Sequence, residues 1–324
     1  MSIPLPYFEI STNVRFPIAW PRGRLLAAVL LMASPVAAQR VAPTNAPSFS
    51  AAHATALAAL RDGVTHAAVG NWEQARKAFE RATASDAELA EAHFNLGVAL
   101  GMLEQPDAAI AAYRRALAIA PAMTDALVNI GIEEFQRKRM PEALHALECA
   151  VRLAPDNRPA LHNLGVVLGS LGRLDEAIAT LTRGLRLAPD DAATRAALAD
   201  TYYNLGVEHA RRNHWHEALA SYQTALGFDR SLPEAFNGAG IALTHLHRDE
   251  AALAMFGEAV RLRPSFVAAR YNLAAGLAAA GRYAEAIASC RTVLEYQPWL
   301  QPAAHLLDSL QRVFAESARI SGAW

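Results

Sequence analysis

The sequence predicts an all-α solenoid of tandem helical hairpins, and two ladders of residues in step with each other carry the prediction. Prolines stand at Pro121, Pro155 and Pro189, then at Pro264 and Pro298, with neighbours 34 residues apart in each run. Asn95-Leu96-Gly97, Asn129-Ile130-Gly131 and Asn163-Leu164-Gly165 share that period, and Asn204-Leu205-Gly206 and Asn272-Leu273-Ala274 resume it after one shift. A fixed period of this size marks stacked copies of one supersecondary unit, none of which buries its apolar face alone. Such a chain offers an extended surface to a partner rather than a closed pocket to a substrate.

At the N-terminus, Arg22 and Arg24 precede an apolar run over residues 25–32, and Ala33-Ser34-Pro35-Val36-Ala37-Ala38 follows. A positive flank, a short apolar stretch and small residues before a cut after Ala38 describe a secretory signal over residues 1–38. Residues 25–38 fall short of the roughly 20 apolar residues that a span needs. The expectation is a periplasmic or secreted chain, with a retained anchor as the alternative. Residues 39–50, with Pro43, Pro47 and several Ser, Asn and Thr, read as a flexible linker.

Repeats are expected over residues 51–300, in seven copies at 56–89, 90–123, 124–157, 158–191, 199–232, 233–266 and 267–300. In the clearest copy, Leu96, Gly97 and Leu100 follow one helix face, and Ala109, Tyr113, Ala116 and Leu117 follow another. Glu104, Gln105 and Pro106 break the chain between the two, and Pro121 ends the unit. Seven extra residues, 192–198, precede the fifth copy. Seven is close to two helical turns, so a longer first helix from Ala192 to roughly Arg212 keeps its packed face in phase. From Gln301, helical spacing continues through Leu306, Leu307, Leu310, Val313 and Phe314, so residues 301–324 are expected to form a capping helix and tail.

Of 324 residues, 53% are hydrophobic and the formal net charge is −1. That composition excludes a disordered chain and gives no basic excess with which to neutralise nucleic-acid phosphates. Two cysteines occur, Cys149 and Cys290. They lie four repeats apart; with stacked helices about 8–10 Å apart, their separation exceeds the roughly 7 Å reach of a disulfide. Cys290 takes the place of a large core residue and should be buried. Cys149 falls where other copies carry Arg115, Arg183 or Thr224, so it is expected nearer the surface, open to pairing between molecules and hence to a homo-oligomer.

These marks resemble the tetratricopeptide repeat family, whose 34-residue period carries the pattern W-x2-L-G-x2-Y, A-x3-F and P. The Ala-x3-large step recurs at Ala75/Phe79, Ala109/Tyr113, Ala143/Leu147, Ala177/Leu181, Ala218/Tyr222, Ala252/Phe256 and Ala286/Cys290. The first copy departs from the pattern with Asp62-Gly63 and Ala87, and the fifth ends on Arg230 instead of proline. The resemblance implies a right-handed α-solenoid whose first helices line a concave groove for extended peptides.

One stripe of each first helix lies outside the expected core positions. It runs Glu91, Asn95, Val98 and Met102; then Asp125, Asn129, Ile132 and Gln136; then Pro159, Asn163, Val166 and Ser170. Later copies read Asp200, Asn204, Val207 and Arg211; Glu234, Gly238, Ile241 and His245; Ala268, Asn272, Ala275 and Ala279. Spacings of four, three and four put each set on one face. The candidate peptide-binding residues are therefore Asn95, Asn129, Asn163, Asn204 and Asn272, with the aliphatic Val98, Ile132, Val166, Val207 and Ile241. Phe94, Val128, His162, Tyr203, Asn237 and Tyr271 stand beside them as pocket formers. An amide offers a donor and an acceptor to a peptide backbone, and a similar asparagine ladder marks the repeats of O-linked N-acetylglucosamine transferase. Local bonding between helices is the competing use of the same amides. Arg211 is the sole basic member from the second copy to the seventh, which sets aside a clamp for carboxylate termini.

His214 and His216 flank Trp215 in one turn, and His245 and His247 occupy the matching turn of the next copy. They are weak metal candidates, with no cysteine or carboxylate to complete a set. No G-x-S-x-G elbow, phosphate-cradling glycine loop or H-E-x-x-H motif occurs. Glu133-Glu134 reads as a charged flank, because consecutive helical residues point about 100° apart. The expected function is a non-enzymatic scaffold, with no cofactor, that holds a protein or extended peptide in the cell envelope. The alternatives are a noncatalytic subunit of a polysaccharide synthesis or export complex, and a periplasmic metal or small-ligand binder.

Overall fold

The computed structural model describes residues 51–320, with side chains to residue 315. The expected signal and linker, residues 1–50, and the tail 321–324 lie outside the described residues. Among the described residues there are fifteen α-helices and no strand. Two compact units divide between Pro189 and Asp190. The first contains α1 (Ala51–Ala68), α2 (Trp72–Ser85), α3 (Ala90–Met102), α4 (Pro106–Ile119), α5 (Thr124–Gln136), α6 (Met140–Leu153), α7 (Arg158–Ser170) and α8 (Leu174–Leu187). The second contains α9 (Ala192–Arg211), α10 (Trp215–Phe228), α11 (Pro233–His245), α12 (Asp249–Leu262), α13 (Val267–Ala279), α14 (Tyr283–Tyr296) and α15 (Gln301–Ile320).

Within each unit, successive helices pair as hairpins, and each hairpin packs on the next to make a solenoid. The small-against-large rule of the sequence explains how closely the paired helices approach. A Cβ at Gly97 would fall 2.5 Å from Tyr113 Cε1, and at Gly131 2.5 Å from Leu147 Cγ, so only hydrogen fits there. The facing alanines, Ala109 and Ala143, are fully buried, as are Tyr113 and Leu147.

Every hairpin turn has the same geometry. Glu104 adopts φ 60°, and its N–H donates to Gly101 O at 3.0 Å while Gln105 N–H donates to Leu100 O at 2.9 Å. This Schellman closure satisfies carbonyls at the end of α3 that would otherwise lack donors. Lys138, Asn213 and His247 hold the same left-handed conformation at the same step, as do Gly70, Gly172 and Gly281.

Every second helix ends in the same extended residue, which a proline follows in five copies, while Asp86 and Asp229 adopt that conformation ahead of Ala87 and Arg230. Ala120, which precedes Pro121, sits at φ −125°, ψ 83°, and Ala154 and Ala188 repeat that extended conformation. Crowding by the proline ring disfavours helical geometry in the residue before it, so each proline reinforces a stop that two copies make without one.

The lengthened helix is present as α9, starting at Ala192 and capped by the Asp191 carboxylate, which accepts from Ala193 N–H at 3.2 Å. The last described helix, α15, buries Ala303, Leu306 and Leu310 in the cluster that includes Cys290 and Val293. Glu133 and Glu134 depart from the sequence expectation. They are 6% and 2% exposed rather than a solvated flank. Glu134 stands at the step filled by Leu100 and Leu168 in neighbouring copies, and Arg139 Nη1 lies 3.6 Å from its Oε2. Glu133 faces Tyr113, whose hydroxyl is pushed well above its usual range by burial and by the carboxylate's charge.

Candidate interaction surface

The asparagines of the stripe lie in the packing between first helices. Asn95, Asn129, Asn163, Asn204 and Asn272 are at most 7% exposed, and Val98, Val166, Val207 and Ile241 at most 3%. Phe94 is also buried and Ile132 half-buried. Side chains at these steps meet the next hairpin before they meet solvent.

The amides are not used alike. Asn95 Nδ2 donates to Glu91 O at 2.8 Å, and Asn163 Nδ2 donates to Pro159 O at 2.8 Å, both one turn back along their own helices. Asn129 Nδ2 donates across the hairpin stack to the Tyr113 hydroxyl at 3.4 Å. Asn272 Nδ2 donates to Asn237 Oδ1 at 3.0 Å, a fully interior pair between α13 and α11. Asn204 is engaged as well. Asn95 stands apart, because its Oδ1 is buried and has no hydrogen-bond partner.

The ends of the stripe stay accessible in the first unit. Glu91 and Gln136 are exposed, and Met102, Asp125 and Ser170 are half-buried. Desolvation holds the Asp125 carboxyl above the usual range, partly offset by a hydrogen bond with the Asn157 side chain.

Away from the stripe, shallow clefts open between neighbouring second helices. One of about 520 Å³ is lined by Leu117, Pro121, Leu127, Cys149, Arg152 and Leu153. The next, about 470 Å³, is lined by Glu148, Val151, Arg152, Pro155, Leu164 and Arg183. In the second unit a cleft of about 580 Å³ has Leu253, Leu273 and Leu277 as its apolar floor, with Arg282 and Glu285 at its side. Sequence reading missed these clefts, since their linings come from three different helices of two copies.

The histidines do not gather around a common point. His245 stacks flat on Trp215, with centroids 3.8 Å apart and planes within 4°, while His209 lies beside His214 at 6.2 Å. Desolvation, with the nearby His247 charge, lowers the His245 pKa. Among the described residues no group of three or more His, Cys, Asp or Glu side chains is arranged to hold a metal ion. No helix among them is long and apolar enough to cross a membrane.

Tetratricopeptide repeat family models match residues 60–124, 156–231 and 246–298, which together make up more than half of the chain. No sequence among the curated proteins matches it. Among solved structures, YrrB, described as a TPR protein with an unusual peptide-binding site, is 24% identical. That match covers 60% of this chain and 96% of YrrB, with a TM-score of 0.50. The C-terminal part of a TPR repeat-containing protein from Cytophaga hutchinsonii is 14% identical, covering 76% of this chain and 99% of that one, with a TM-score of 0.60. With seven hairpins of one geometry under matches that reach from the first copy to the last, the chain belongs to the tetratricopeptide repeat family.

Proposed function

We propose that the protein is a non-enzymatic interaction scaffold that holds an extended segment of a partner along the first helices of its repeats. The observation that carries this reading is Asn95. Its donor is tied to Glu91 O while its Oδ1 stays buried and unpartnered, a loss of about 1–3 kcal/mol unless a donor arrives. A peptide N–H is such a donor, and it reaches this oxygen only where the packing of the neighbouring hairpin over Asn95 gives way. Glu91, Met102, Asp125, Gln136 and Ser170, the accessible ends of the stripe, would flank the bound segment. YrrB, which shares the fold, is a precedent for peptide binding by it.

We infer in addition that the scaffold works in the cell envelope. The support is the order of Arg22 and Arg24, the apolar residues 25–32 and the small residues up to Ala38.

Both readings are open to one experiment. The chain from Gln39 and its Asn95→Ala/Asn163→Ala variant are used as bait in envelope extracts, and captured proteins are identified by mass spectrometry. A partner held by the first and lost by the folded variant supports the inner-stripe reading. Equal capture by both removes the asparagines from the site.

A further inference from the structure

The first unit repeats an ion pair across its outer side, and one junction lacks it. Arg115 Nη2 donates to Glu88 at 2.8 Å, linking the first and second copies. Arg183 Nη2 donates to Asp156 at 3.3 Å, linking the third and fourth. Each pair joins residues 27 apart, at one step of the repeat. Between the second and third copies, that step holds Ala122 and Cys149 instead. Neither the acid nor the arginine of the pair is there.

What remains at that junction is the cleft of about 520 Å³ over Leu117, Pro121, Leu127 and Leu153. Leu153 is 52% exposed at its rim, as its counterpart Leu187 in the next copy is to 43%. Arg152 sits at the boundary of this cleft and the adjoining one. Its guanidinium donates to Cys149 Sγ at 2.7 Å, and among the described residues no carboxylate lies within ion-pairing distance of it. At the flanking junctions the carboxylates of Glu88 and Asp156 are held by Arg115 and Arg183, at the step of Cys149, whereas the step of Arg152 is filled by Ala118 and Arg186.

We propose that this junction is a second docking surface, and that its occupant is a segment of a partner protein in which an acidic side chain is flanked by large apolar ones. The carboxylate engages Arg152, as a charge-assisted hydrogen bond to a guanidinium favours. The apolar neighbours cover Leu117, Leu127 and Leu153 and remove them from water. Charge complementarity selects this occupant, since a basic segment would meet Arg152 with like charge. The surface is separate from the inner stripe, so one scaffold has room for two partners, or two segments of one.

The test uses the chain from Gln39 and a fluorescein-labelled peptide with Leu-Glu-Leu at its centre and glycine–serine flanks. A counterpart carries Lys in place of Glu. Anisotropy gives the affinities, and the modification rate of Cys149 by a thiol reagent reports on the cleft itself, with Cys290 fully buried and silent. The expected results are at least tenfold tighter binding of the Glu peptide and slowed Cys149 modification when it is bound. Arg152→Glu should invert the preference between the peptides.

A second variant, Ala122→Asp with Cys149→Arg, builds the ion pair of the flanking junctions into this one. It should fold normally by circular dichroism and lose the Glu peptide. Equal affinity for the two peptides, no binding of either at millimolar concentration, or full binding by the folded Ala122→Asp/Cys149→Arg variant would each overturn the proposal.

Discussion

Replacing Asn95 and Asn272 by alanine should have opposite consequences for stability, although both are buried amides at the same step of the repeat. In Asn272→Ala, the donor to Asn237 Oδ1 disappears and strands an acceptor on a side chain only 7% exposed. Stranding a buried polar group costs about 1–3 kcal/mol, and unfilled space adds to it. In Asn95→Ala, one bond to Glu91 O is lost, worth about 1 kcal/mol. The same change deletes the unpartnered Oδ1, which itself costs about 1–3 kcal/mol, and improves helix propensity by up to ~0.7 kcal/mol. With helix propensity and unfilled space common to both variants, Asn95→Ala runs from neutral to stabilising by about 2 kcal/mol, against a loss of about 1–3 kcal/mol for Asn272→Ala.

Guanidinium unfolding followed by far-ultraviolet circular dichroism measures the difference, with slopes compared to confirm that the same surface unfolds. The slope check matters because repeat arrays can lose cooperativity between neighbours. A loss in Asn95→Ala as large as that in Asn272→Ala would refute the reasoning, and would return Asn95 to a purely structural role.

Other outcomes follow from the same packing. Glu134→Leu should raise stability by about 1–4 kcal/mol in the same unfolding assay, because an apolar side chain replaces a buried carboxylate that Arg139 approaches only to 3.6 Å. Gly97→Ala should cost about 1–3 kcal/mol by driving a methyl group into Tyr113, read as a lower denaturation midpoint. One thiol per chain, Cys149, should react under native conditions and two in denaturant, since burial pushes the Cys290 thiol up to about 11. Asp125→Asn should stabilise the protein at pH 7 but not at pH 3. The folded-state pKa of Asp125 is raised, so its penalty is absent below the unfolded value near 3.8 and appears as pH climbs through the folded one.

Helix number and placement were legible because proline and glycine act locally. Pro121 stops α4 through the residue before it, and Gly97 marks where Tyr113 must fit, so neither needs knowledge of distant parts of the chain. The phase of α9 was legible for a similar reason, as seven residues return a helix to nearly the same face. Burial of the inner stripe was not. Whether Asn129 meets solvent or Tyr113 depends on how closely the next hairpin approaches, which no spacing within one helix encodes. Glu133 and Glu134 were misread on the same account. Their side chains diverge as expected, yet both directions lead into packed neighbours. The clefts of the first unit were hidden in a different way, because their signal is a pair that fails to recur, Ala122 and Cys149, rather than one that does.

The left-handed residue at each hairpin turn carries a consequence for how this protein can change over time. The hydrogen bonds that close the turn come from the backbone, and the side chain at that step is glutamate, lysine, asparagine, histidine or nothing. Because closure is indifferent to that side chain, the turns form a row of addresses where chemistry can be rewritten without disturbing the helices on either side. Glycine at such a step relieves a strain of about 1–2 kcal/mol borne by an ordinary residue, so Glu104, Lys138 and His247 each hold stability in reserve against the cost of novelty elsewhere.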